Sequence, residues 1–186
     1  MAYRAFVAVE VGGLSRILEV DEELKRSHGD LKIVDADNIH MTMKFLGDIK
    51  DEDGEKALKT LKSAVKKLEP FEMVVKGVGV FPTEDDPRII WVGVEEPEPL
   101  VKLQAAVEKA LKKLGYEPEA RAFTPHVTIA RVRSQKNRLR VKEVVDAHRD
   151  EEFGVVKVDT IFLKKSFLTN EGPVYTTVGT ARLSEG

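Results

Sequence analysis

The sequence contains no cysteine. That excludes a disulfide scaffold, a thiolate metal site and a cysteine nucleophile. It has one tryptophan and 6% aromatic residues, and its 30 cations nearly balance 32 anions. A uniformly basic nucleic-acid coat is therefore excluded, though local patches are not. No run approaches the ~18 apolar residues of a membrane span, and residues 1–10 do not read as a signal peptide; the expectation is a cytoplasmic protein. Asparagine and glutamine are scarce, three and two, beside 19 lysines and 20 glutamates, a pattern resembling a thermophile's composition. Only four histidines are present: His28, His40, His126 and His148.

What is present is enough for a packed core. The 186 residues are 42% hydrophobic and 33% charged, which fits one globular unit. Strand-like and helix-like segments alternate without a linker. Strands are expected over Tyr3–Val9, Ile39–Leu46, Phe71–Val80, Arg88–Val94, His126–Arg133, Val155–Phe167 and Val174–Leu183. Helices are expected over Leu14–Arg26, Asp51–Leu68 and Leu100–Leu114, with a charged helix or loop over Lys136–Arg149. Asp51 or Asp53 is the expected cap of the second helix. The two halves run through similar orders of elements. The expected fold is α+β: one domain, 1–186, of two similar lobes related by a pseudo-twofold, each an antiparallel sheet with flanking helices.

One element repeats. His40-Met41-Thr42-Met43 and His126-Val127-Thr128-Ile129 both read His-x-Thr-apolar, 86 residues apart, each inside an expected strand. Strict alternation places His40 and Thr42 on one face and Met41, Met43 and Phe45 on the other. The polar faces of both strands then look into a cleft between the lobes. Two imidazoles titrating near neutrality can act as acid and base on one substrate. Threonine hydroxyls on the same face can donate to the oxygens of a phosphoryl group. A metal site is disfavoured, because neither histidine has a carboxylate at ligand spacing and catalytic zinc wants three ligands.

These motifs resemble the paired His-x-Thr/Ser-x signature of the 2H phosphoesterase superfamily. The likeness continues through Arg4–Val9, Asn38–Gly47, Phe81-Pro82 with Pro87–Trp91, Phe123–Arg131 and Gly172–Tyr175. Over this span the chain resembles the RNA 2′,3′-cyclic phosphodiesterase family, also called 2′-5′ RNA ligase. The resemblance implies hydrolysis of an RNA 2′,3′-cyclic phosphate to a 2′-phosphomonoester, with no cofactor or metal. It implies His40 as proton donor, His126 as proton acceptor, and Thr42 and Thr128 as phosphate-binding residues. Its implied partners are RNA ends, tRNA fragments among them, or nucleotides; the default is a monomer. Ligation, with a 5′-hydroxyl in place of water, is the same chemistry reversed. A non-catalytic nucleotide-binding module and an enzyme for small cyclic phosphates are the alternatives.

Further residues are candidates for RNA contact. Arg131–Lys142 holds six cations and no acid, either a phosphate-binding stretch or a solvated helix face. Arg131 and Arg133 head it, although alternation turns Arg131 away from His126. Phe123 is the expected stacking residue, whereas Phe45 and Trp91 are expected in the core. His28 and His148 are expected at the surface.

Overall fold

The computed structural model describes residues 1–12 and 14–184. Its strands are β1 (Ala2–Glu10), β2 (Leu31–Ile33), β3 (His40–Lys50), β4 (Phe71–Pro82), β5 (Pro87–Glu95), β6 (Val127–Val132), β7 (Glu152–Val158), β8 (Thr160–Thr169) and β9 (Gly172–Arg182). Its helices are α1 (Ser15–Arg26), α2 (Asp51–Val65), α3 (Glu98–Lys112) and α4 (Arg138–Ala147). One sheet has the order β3-β1-β8-β9, the other β2-β6-β5-β4-β7, and every pairing is antiparallel. Helices α2 and α3 cover the four-stranded sheet; α1 and α4 cover the five-stranded one. This is the expected α+β architecture of two lobes.

The lobes are not the two halves of the sequence. Val155–Phe167, expected as one strand, is broken at Asp159. Before the break β7 pairs with β4; after it β8 pairs with β1 in the other sheet. Helix α1 likewise leaves the sheet of β1 to pack on the five-stranded lobe. Hydrophobicity marks both parts of such a run as buried without saying in which sheet. One apolar cluster runs through both lobes, with Val7, Met41 and Leu163 from one sheet and Ile90, Val92 and Ile129 from the other.

Helix α2 buries the expected stripe, with Ala57, Leu61 and Val65 fully inside and Leu58, Ala64 and Leu68 packed alongside. Its cap differs from expectation. Strand β3 runs directly into the helix, so Lys50 takes the cap position and Asp51, Glu52 and Asp53 fill the first turn. There they complement the helix dipole, and Asp53 accepts the Lys50 N–H at 3.4 Å. Strand β3 also continues past Leu46, because Gly47 adopts φ +73° and the pairing with β1 resumes through Lys50.

Candidate active site

The motif strands β3 and β6 lie against each other where the two sheets meet. Each motif turns its apolar residues to the core: Met41, Met43, Val127 and Ile129 are buried. His40, Thr42, His126 and Thr128 are half-buried on the opposite, helix-free side.

The two histidines are held alike. His40 Nδ1 donates to Asn38 O at 2.7 Å, and His126 Nδ1 donates to Thr124 O at 2.8 Å. Each acceptor is the carbonyl two residues upstream. A carbonyl can only accept, so each Nδ1 carries a proton and Nε2 is the ring atom left to give or take one. His40 Nε2 is 3.0 Å from Thr42 Oγ1. When His40 is neutral the hydroxyl donates to Nε2; when His40 is charged Nε2 donates and the hydroxyl proton is released for another acceptor. Aromatic rings fix both imidazoles: Phe6 and Tyr175 sit 4.9 and 5.1 Å from His40, and Phe81 sits edge-on to His126 at 5.1 Å.

Burial holds the His40 pKa below its ordinary value, and the Lys164 ammonium pushes the same way. The bond to Asn38 O and the carboxylate of Glu10 oppose them. Lys164 reaches this place through register. It pairs with Phe6 across β1 and β8, and Glu10 pairs with His40 across β1 and β3. Residues paired across a sheet share a face, so all four line the cleft. Lys164 and Glu10 also form an ion pair.

Two β-bulges overturn the expected alternation. On β3, Thr42 opposes Ala8 and Lys44 opposes Val7, leaving Met43 as the extra residue. On β6, Thr128 opposes Trp91 and Ala130 opposes Ile90, leaving Ile129 extra. A bulge of one residue inverts the faces beyond it. Lys44 is therefore buried, bonded to Glu108 at 2.9 Å and to Glu117 O at 2.7 Å. Phe45 is 63% exposed, on the cleft face opposite Phe6, not in the core. Arg131 pairs with Ile89 and shares the cleft face with His126 after all; its charge acts on Tyr175, the ring edge-on to His40. The same bulge, at the same place in both motifs, presents Phe45 from one lobe and Arg131 from the other.

The remaining candidates fall elsewhere. Trp91 lies on the cleft face beside Phe81, not in the core. Phe123 is half-buried against the core, so Phe45 is the freer ring. Arg133 is exposed beyond the end of β6, its N–H bonded to Asp30 O. In the basic stretch, Arg138 bonds to Asp85 O, and Lys142 pairs with Glu84 and Asp146. The end of that run is thus held against the acidic β4–β5 turn. His148 is not a surface residue: it bonds to Glu151 and, at 2.9 Å, to Glu23. Lys164, Phe6 and Tyr175 carry no role in the sequence reading. Only the pairing of β1 with β3 and β8, and of β8 with β9, brings them to His40. Among the described residues, no group of three His, Asp or Glu is placed to hold a metal ion, and no helix is long and apolar enough to cross a membrane.

Comparison with known proteins identifies a family. A family model described as the 2′-5′ RNA ligase superfamily matches residues 17–166. A Methanothermobacter thermautotrophicus protein named RNA 2′,3′-cyclic phosphodiesterase is 34% identical over 185 residues, covering 98% of this chain and 100% of its own. An Aquifex aeolicus protein of the same name is 40% identical over 181 residues, covering 94% of each. The crystal structure of TT0787 of Thermus thermophilus has a TM-score of 0.81 at 24% identity, covering 98% of this chain and 100% of that one. E. coli LigT complexed with 3′-AMP has a TM-score of 0.76 at 22% identity, with both chains fully covered. These two structures share the fold. On the family model and the full-length relatives together, the chain belongs to the 2′-5′ RNA ligase superfamily.

Proposed function

We propose that this chain hydrolyses RNA 2′,3′-cyclic phosphates to 2′-phosphomonoesters, the activity for which its full-length relatives are named. The observation that carries the reading is the matched pair of imidazoles, each with Nδ1 bonded to the carbonyl two residues upstream, which leaves Nε2 as the atom that exchanges a proton. His126 takes a proton from water as the water oxygen bonds to phosphorus. The bond from phosphorus to the 3′-oxygen breaks, and His40 delivers its proton to that oxygen. Thr42 and Thr128 donate to the non-bridging oxygens, while Lys164 and Arg131 offset their charge. Phe45 offers an exposed ring to the terminal base. With both proton transfers supplied by imidazole, the reaction needs no metal. A 5′-hydroxyl in place of water gives ligation. The shared core and exchanged strands support one two-lobed domain, and we place its work on RNA ends in the cytoplasm.

The test is turnover of an RNA ending in a 2′,3′-cyclic phosphate, in EDTA, with the position of the product phosphate read by NMR. His40→Ala and His126→Ala should each lower kcat about 10²–10⁴-fold with an unchanged melting curve. Full turnover by both variants would sink the assignment.

A further inference from the structure

Beside His126, the five-stranded sheet carries a cavity of about 410 Å³, within the roughly 300–1,000 Å³ of small-ligand sites. Glycines make its floor. The six-membered ring of Trp91 rests on Gly79, its partner on β4, and on Gly93, two residues along β5. A Cβ on Gly79 would stand 2.3 Å from Trp91 Cζ2, and one on Gly93 would stand 3.1 Å from Cζ3. Only missing side chains let an indole lie on a sheet in this way. One face of the ring is spent on the glycines, and the ring also lines the cavity. The indole Nε1 is buried, with no hydrogen-bond partner among the described residues, so it is the ring face and not the N–H that the cavity offers.

The cavity belongs to the His126 side. Thr124 and Pro125 line it, and Thr124 O is the acceptor that orients His126. Phe81 bridges the two rings, 5.1 Å from Trp91 and 5.1 Å from His126. The cations at its wall are already paired, Lys76 with Glu95 and Arg149 with Glu84, both at 2.7 Å. An aromatic face with a neutralised polar rim suits an uncharged nucleoside better than a terminal phosphate.

We propose that this cavity seats a nucleoside with a free 5′-hydroxyl, the nucleophile that replaces water when a cyclic phosphate is joined to a second RNA. The inference rests on the reading of His126 as the base. The 5′-oxygen bonds to phosphorus as the phosphorus–O3′ bond breaks. The 5′-hydroxyl proton passes to His126, and the His40 proton passes to the 3′-oxygen. The product is a 2′-5′ phosphodiester with a free 3′-hydroxyl, and nothing else is consumed. Water needs no aromatic seat; a nucleoside does.

Trp91 is the only tryptophan, so its fluorescence reports this cavity alone. Adenosine should quench it saturably, and more tightly than 5′-AMP. Trp91→Leu, and Gly79→Val, which displaces the indole, should each lower ligation relative to hydrolysis about tenfold, the scale of one lost stacking contact. Absence of quenching, tighter binding of 5′-AMP, or an unchanged ratio in both variants would overturn the proposal. If the wild type hydrolyses no cyclic-phosphate RNA, the functional reading fails instead, and the adenosine titration still decides whether the cavity takes a nucleoside.

Discussion

The proposed mechanism asks His40 to hold a proton in a place that disfavours one. Burial is the larger cause, and Lys164 adds to it. In the proposed role of general acid, His40 works only while charged, so the basic limb of kcat/KM against pH should follow its pKa. A lowered pKa brings that limb to lower pH. Replacing Lys164 by Met removes one lowering charge and should move the limb upward. Glu10→Gln removes a raising charge and should move it downward. NMR titration of the His40 ring should follow both shifts; movement in the same direction for both variants would disprove the electrostatic assignment. Under the proposed mechanism the arrangement makes chemical sense: a phosphate anion seated near Lys164 and His40 would favour the imidazolium.

At the scale of elements, the bulges in β3 and β6 separate what the sequence discloses from what it hides. The motif residues lie before each bulge, where alternation holds, and their faces are legible. Phe45 and Arg131 lie after it, and alternation assigns both to the wrong face. Nothing in Met43-Lys44 or Ile129-Ala130 marks a bulge, because the extra residue is defined only by the strand opposite. The buried Lys44 is the consequence on the core side, its side chain 1% exposed. Lys44→Ala should cost about 3 kcal/mol in chemical denaturation, since it leaves the Glu108 carboxylate without its countercharge. A loss below about 1 kcal/mol would show that the pair does not hold β3 to α3.

Helix α1 carries a second buried charge. Asp21 is 4% exposed, and burial pushes its carboxyl up to about 6 from 3.8. A raised pKa contributes stability that is complete below pH 3.8 and lost as pH rises through about 6. Asp21→Asn lacks this titration. Its stability should gain on the wild type between pH 4 and 7 by roughly 2–3 kcal/mol, from about 2 pKa units at 1.36 kcal/mol each. That corresponds to roughly 5–10 °C in Tm, and a pH-independent difference would refute it. His148, between α1 and β7, shifts upward too: burial opposes protonation, but Glu151 and Glu23 outweigh it. Its contribution likewise fades as pH climbs past its raised pKa.

For the whole molecule, the exchange of strands matters most. Strand β1 lies between β3 and β8, and β4 lies between β5 and β7. Each half of the chain therefore lacks a neighbour for a central strand. A fragment of residues 1–95 should show no cooperative melt by circular dichroism, because β1 and β4 would expose unpaired edges. A cooperative transition in that fragment would mean that the lobes fold by halves. The exchange also carries Lys164 and Tyr175, from the last quarter of the chain, beside His40 in the first.

The sequence by itself determined most of the elements, though not the short β2 or the break at Asp159, and the two motifs and the side of each strand that the histidines take, because these follow from local periodicity and from residue chemistry. It could not determine which strands share a sheet, where an extra residue inverts a face, or which rings and charges meet each imidazole. Those depend on pairings between residues more than a hundred positions apart, as between Phe6 and Lys164. Register across strands is a property of the folded whole. The tertiary structure alone therefore decided that Phe45, Trp91, Arg131 and Lys164 face the same cleft as His40 and His126.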